Sequence, residues 1–80
     1  MAKVASRAKF TVILQAESEP GFEGYYNAIV PALPGCFSYG SARDEALANI
    51  REAIELYLED LEASGEVIPV ERIETVGVEV

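Results

Sequence analysis

One stretch of this 80-residue chain carries a helical period. Leu47, Ile50, Ile54, Tyr57, Leu58 and Leu61 recur at spacings of three and four, which lines them along one stripe of an α-helix. Its limits are legible too. Ser41 is a good N-cap, and Asp44 three residues later completes a near capping box at the positive end of the helix dipole. The stripe closes near Ser64, Gly65 falls at the C′ position, and Pro69 forbids continuation. A single amphipathic helix has one apolar face, so it covers one side of one sheet and no more. The remaining chain must supply that sheet.

The remainder alternates. Residues 8–17 place Phe10, Val12, Leu14 and Ala16 on one face and Thr11, Ile13 and Gln15 on the other, the pattern of a strand with one buried side. Glu19-Pro20-Gly21 is turn chemistry, and a second strand from Tyr25 to Val30 follows Gly24, so an antiparallel hairpin is expected. Pro31 and Pro34 remove two ladder donors, so residues 31–35 must bulge or turn at a sheet edge, fixing the crossover to a short third strand from Cys36 to Tyr39. Thr75–Val80 alternates again and reads as a final strand. The predicted order is β-β-β-α-β, an α+β fold with a mostly antiparallel sheet and one helix packed on one face. No repeat or linker interrupts it, so residues 1–80 are expected to form one domain, with residues 1–6 as a disordered lead-in.

Composition excludes several chemistries. The chain has no histidine, which removes imidazole acid–base catalysis, Ser-His-Asp sites and His-ligated zinc. The single Cys36 makes neither an internal disulfide nor a Cys-based metal site and fits a reducing compartment. The opening MAKVASRAKF has no apolar signal core and no run approaches 18 apolar residues, so a cytoplasmic protein is expected, with no membrane partner. Six basic side chains against fourteen acidic ones leave a net charge of −8. That charge is uneven: residues 1–24 balance to zero, residues 41–66 carry −6 and residues 67–80 carry −2. A surface of this sign repels phosphates and excludes direct nucleic-acid binding, while favouring a basic protein partner.

Two surfaces stand out. On the helical wheel Glu45, Glu52 and Glu59 lie opposite the core stripe, and Leu56 falls among them. Glu52–Glu55, Glu55–Glu59 and Glu59–Glu62 are like-charge neighbours, and Glu59, Asp60 and Glu62 crowd the negative end of the helix dipole. The bland interpretation is a solvated face that keeps an acidic protein soluble. The functional one is a docking surface of Glu45, Glu52, Glu55, Glu59 and Glu62, with Leu56 as the apolar anchor. The uncovered face of the sheet is the second candidate. It should include Ile13 and one of Tyr25 and Tyr26, which point oppositely, and it is expected to mediate homo-oligomerisation. Pro31, Leu33, Pro34 and Gly35 are expected to shape a structural corner, with Cys36 behind it as a small buried hydrophobe.

Between Tyr25 and Pro69 the sequence resembles a known family. The run Val30-Pro31-Ala32-Leu33-Pro34-Gly35-Cys36, then Asp44-Glu45-Ala46-Leu47 and Glu52-Ala53-Ile54-Glu55-Leu56-Tyr57-Leu58, is similar to the HicB-like antitoxins. That resemblance implies a β-β-β-α-β fold like a truncated ribonuclease H without its catalytic set. It also implies self-association and the silencing of a small basic ribonuclease toxin, HicA. The chain reads as a short member without the C-terminal DNA-binding segment of longer HicB proteins, so direct operator binding is not expected. The alternative within this family is a stand-alone homo-oligomeric structural or regulatory protein with no toxin. The ribonuclease H likeness raises two-metal cleavage, for which Glu17, Glu45 and Glu79 are the nearest stand-ins. Neither strand position carries Asp, and an acidic surface repels RNA, so no enzyme activity, cofactor or metal is expected.

Overall fold

Paired turns led by proline set both hairpins of the sheet. The computed structural model describes residues 9–80; the expected lead-in, residues 1–6, lies outside the described residues. Strands β1 (Ile13–Ala16), β2 (Tyr26–Ile29) and β3 (Phe37–Gly40) form an antiparallel sheet in the order β1-β2-β3, followed by helix α1 (Arg43–Ala63). The fold is α+β, as the hydrophobic pattern requires. Between β1 and β2, the Phe22 N–H donates to the Glu19 carbonyl at 3.1 Å and the Tyr25 N–H to the Phe22 carbonyl at 3.0 Å, giving two turns in succession.

The Pro31–Gly35 corner repeats this device. The Leu33 N–H donates to Val30 and the Cys36 N–H to Leu33, so Pro31 and Pro34 each occupy the first central position of a turn, where a fixed φ is an advantage. Gly35 follows Pro34 at φ +82°, a conformation that disfavours any side chain. The corner joins two adjacent antiparallel strands, so it is a hairpin rather than the crossover expected from the sequence. Leu33, shared by both turns, is fully buried. Cys36 is also buried, and its burial pushes the thiol pKa up, which makes it a core side chain rather than a reactive one.

Helix α1 starts one residue later than its cap signal suggested. Ala42 is the N-cap and gives no side-chain hydrogen bond. Glu45, at the third helical position, reaches back instead and accepts from the Ser41 N–H and hydroxyl. Asp44, the expected capping partner, points to solvent. At the other end, the Glu66 N–H donates to Leu61 and the Gly65 N–H to Glu62, the paired bonds of a Schellman motif. The helix packs mainly on β3 and less on β2. Ala28, Val30, Leu33, Cys36, Ile50 and Leu58 form the core, with Phe10, Val12, Leu14, Ile54, Tyr57 and Leu61 around it. Leu47, expected in the stripe, is half-buried and stands outside that core.

The final strand is the main departure. Thr75–Val80 forms no strand in this single chain. Ile68 packs against the core, and the Glu71 carboxylate accepts from the N–H and hydroxyl of Thr11. Past that anchor the segment leaves the sheet, with Val76 71% and Val78 78% exposed. Alternation supplies the pattern of a strand, but only a ladder partner makes one, and the segment meets none here.

A small effect is expected where α1 meets the corner. The Tyr57 hydroxyl donates to the Pro34 carbonyl at 2.9 Å. Tyr57→Phe should lower stability by about 1 kcal/mol, read from urea unfolding at unchanged slope.

Candidate protein-docking surfaces

The helix presents its acidic face away from the sheet. Leu56 is 60% exposed, an unusual position for a leucine near the middle of a 21-residue helix. Glu52 lies one turn before it and Asp60 one turn after, and both are exposed. Glu59 shares this side. Glu55 is exposed but sits about 100° round the helix from Leu56, on the flank towards β1, and Glu62 lies on the same flank. The six residues singled out in the sequence therefore divide. Glu52, Leu56 and Glu59 share one patch, while Glu55 and Glu62 border it.

Glu45 shares the angular position of Glu52, but the Ser41 N–H and hydroxyl hold its carboxyl below the usual carboxylate range. A carboxyl with a lowered folded pKa adds stability that is fully present above its unfolded value and lost as pH falls through the folded one. Glu45→Gln should therefore cost stability at neutral pH. The gap between the two proteins should close below the ordinary carboxylate value of 4.5, as read from thermal melts across pH.

The outer face of the sheet is the second surface. The register sets Ile13 opposite Ile29 and Ile29 opposite Phe37, forming one apolar row across all three strands. Gln15, Asn27 and Tyr39 make the next row. Ile13, Ile29, Phe37 and Tyr39 are all exposed, Phe37 at 68%. Alternation along β2 resolves the two tyrosines: Tyr26 shares the helix side with Ala28, and Tyr25 falls on the outer side, where its ring meets Phe22 edge-on at 5.4 Å. Ile29, Phe37 and Tyr39 were missed from the sequence. The signal was present in the period of two along β2 and β3, but those strands are only four residues each.

The three nuclease stand-ins do not come together. Glu17 accepts from the Asn27 side chain at 2.8 Å, which lowers its pKa; Glu45 is held at Ser41; and Glu79 lies on the segment that leaves the sheet. Among the described residues no group of three or more His, Cys, Asp or Glu is placed to hold a metal. No helix of the described residues is long and apolar enough to cross a membrane.

The family model described as "HicB_like antitoxin of bacterial toxin-antitoxin system" matches residues 10–79. A UPF0150 protein of Thermoplasma acidophilum is 46% identical over 70 residues, covering 88% of this chain and 96% of the relative. A UPF0150 protein of Helicobacter pylori is 54% identical over 52 residues, 65% of this chain and 71% of its own length. One from Synechocystis is 45% identical over 62 residues, 78% and 73% of the two chains. No solved structure matches.

Proposed function

Since the chain belongs to the HicB-like antitoxin family, we propose that it is a non-enzymatic, cytoplasmic protein-binding module. It would neutralise a small basic ribonuclease of the HicA type by covering its active surface without covalent chemistry. The observation that carries this reading is Leu56, exposed on α1 with the carboxylates of Glu52 and Glu59 beside it. An apolar anchor ringed by charge suits a partner of opposite sign, since attraction speeds encounter and the desolvated centre supplies affinity. The net charge of −8 provides the steering field. Neither cofactor nor metal takes part. The test is titration of this chain into a small basic ribonuclease of the HicA type, the product of a neighbouring reading frame if one is encoded there. RNA cleavage should fall in proportion to the chain added and stop near equivalence; cleavage that continues at excess overturns the reading.

The Ile13–Ile29–Phe37 row supports a second reading, a homo-oligomeric structural or regulatory protein without a toxin. Self-association through this face, with Tyr25 and Tyr39 at its borders, is also compatible with the first. Phe37→Glu should weaken that association, seen as a lower mass by light scattering, while the helical circular dichroism stays unchanged. Absence of any basic ribonuclease gene alongside would favour the toxin-free reading.

A further inference from the structure

We propose that Thr75–Val80 is a donor strand that adds to the β1 edge of a second copy of this chain, laying Val76, Val78 and Val80 into the apolar groove between that copy's β1 and α1. This inference is independent of the antitoxin reading and of the outer face.

The first support is the edge. The Glu17 N–H donates to the Tyr25 carbonyl at 2.8 Å, and alternation along the ladder then turns the backbone groups of Leu14 and Ala16 away from β2. Among the described residues those groups have no hydrogen-bond partner. The opposite edge is different. The Val30 N–H bonds the Cys36 carbonyl, which turns the Tyr39 carbonyl outward, and Asn49 of α1 donates to it at 2.8 Å. Among the described residues the sheet is therefore partly capped at β3 and open at β1.

The groove is the second support. Because α1 packs over β3 and β2, a cavity of about 690 Å³ remains on the β1 flank. Val12, Leu47, Ile50 and Ile54 give it an apolar lining, which three charged side chains, Asp44, Arg51 and Glu55, share. Leu47 is half-buried there for want of a cover. A strand added to β1 would point every second side chain into this space.

The third is the candidate strand. Val76, Val78 and Val80 alternate with Thr75, Gly77 and Glu79, and all three valines are exposed. β-branched residues at a period of two fit a pleated, half-buried strand. Six residues span about 20 Å, enough to cover four-residue β1 and its flanks. In the single chain the segment departs after Glu71, leaving its own groove open and its own valines in water. Reciprocal exchange between two copies fills both grooves and pairs both edges with elements that each chain already carries.

Two experiments test this. In the first, light scattering is run on the full chain and on Val78→Pro, which removes a ladder donor without touching the core. The proposal expects Val78→Pro to halve the mass while helical circular dichroism and the response to Phe37→Glu persist. An unchanged mass, or a full chain that is already monomeric, overturns it. The second uses Leu47→Cys and Val78→Cys in a Cys36→Ala background, treated with a short bismaleimide. A cross-linked dimer is expected; a link confined to one chain, showing the segment closed on its own groove, or no link at all, overturns the proposal.

Discussion

Gly40→Ala is expected to lower the melting temperature by roughly 12–24 °C. Gly40 ends β3 directly beneath the first turn of α1, and a Cβ built there would meet the backbone nitrogen of Ala46 far inside contact distance and the carbonyl carbon of Glu45 at 2.8 Å. Both neighbours are main chain inside a helix, so no flexible side chain can swing aside. The strand and the helix must separate, which costs about 3 kcal/mol, the upper part of the overpacking range. In a domain of this size each kcal/mol moves the midpoint by about 4–8 °C. Differential scanning calorimetry of the two proteins checks the value, and a shift below about 4 °C would contradict so close an approach of α1 to β3. The same substitution at Gly77, where an added Cβ meets nothing, should have little effect.

The second large effect concerns binding rather than folding. Leu56→Glu leaves the core intact, because Leu56 faces solvent and glutamate is nearly as good a helix former as leucine. It adds a like charge one turn from Glu52 and from Asp60, costing a few tenths of a kcal/mol in helix stability for each pair. Loss of a central apolar anchor typically costs at least about 2 kcal/mol, roughly 30-fold in affinity. Placing an unpaired carboxylate in the contact should push the loss to the point where no complex survives a pull-down. Circular dichroism should show the helix unchanged. If the variant still binds the basic ribonuclease with wild-type affinity, Leu56 is a bystander on a solvated face.

Much of this architecture is legible in the chain because the signals are local. The helix stripe, the Gly65 stop, the Pro20-Gly21 turn and the burial of Phe10, Val12 and Leu14 together all follow from period and turn chemistry. Local pattern falls short where a neighbour decides. Ser41 looked like the cap, yet the helix begins after Ala42, and Glu45 reaches back to accept from the Ser41 N–H and hydroxyl. Thr75–Val80 carried the pattern of a strand but pairs with no edge within one molecule, although that of β1 lies open among the described residues. Gly40 sits between strand and helix, an ordinary place for a glycine. Its real constraint, the approach of α1's backbone, joins segments whose packing no local pattern specifies. Of the candidate surfaces, Leu56 among glutamates was visible on a helical wheel. The Ile13–Ile29–Phe37 row depends on register across three strands and appears only once the hairpins are closed.

The proposed function requires non-covalent capture of a cationic partner. Its most direct measurement is light scattering of the purified chain mixed with a small basic ribonuclease, that of a neighbouring reading frame if one is encoded there, with RNA added to the eluted fractions. The prediction is one species whose mass sums both proteins and which leaves RNA intact. Two separate peaks, with cleavage as fast as for the ribonuclease alone, would contradict it.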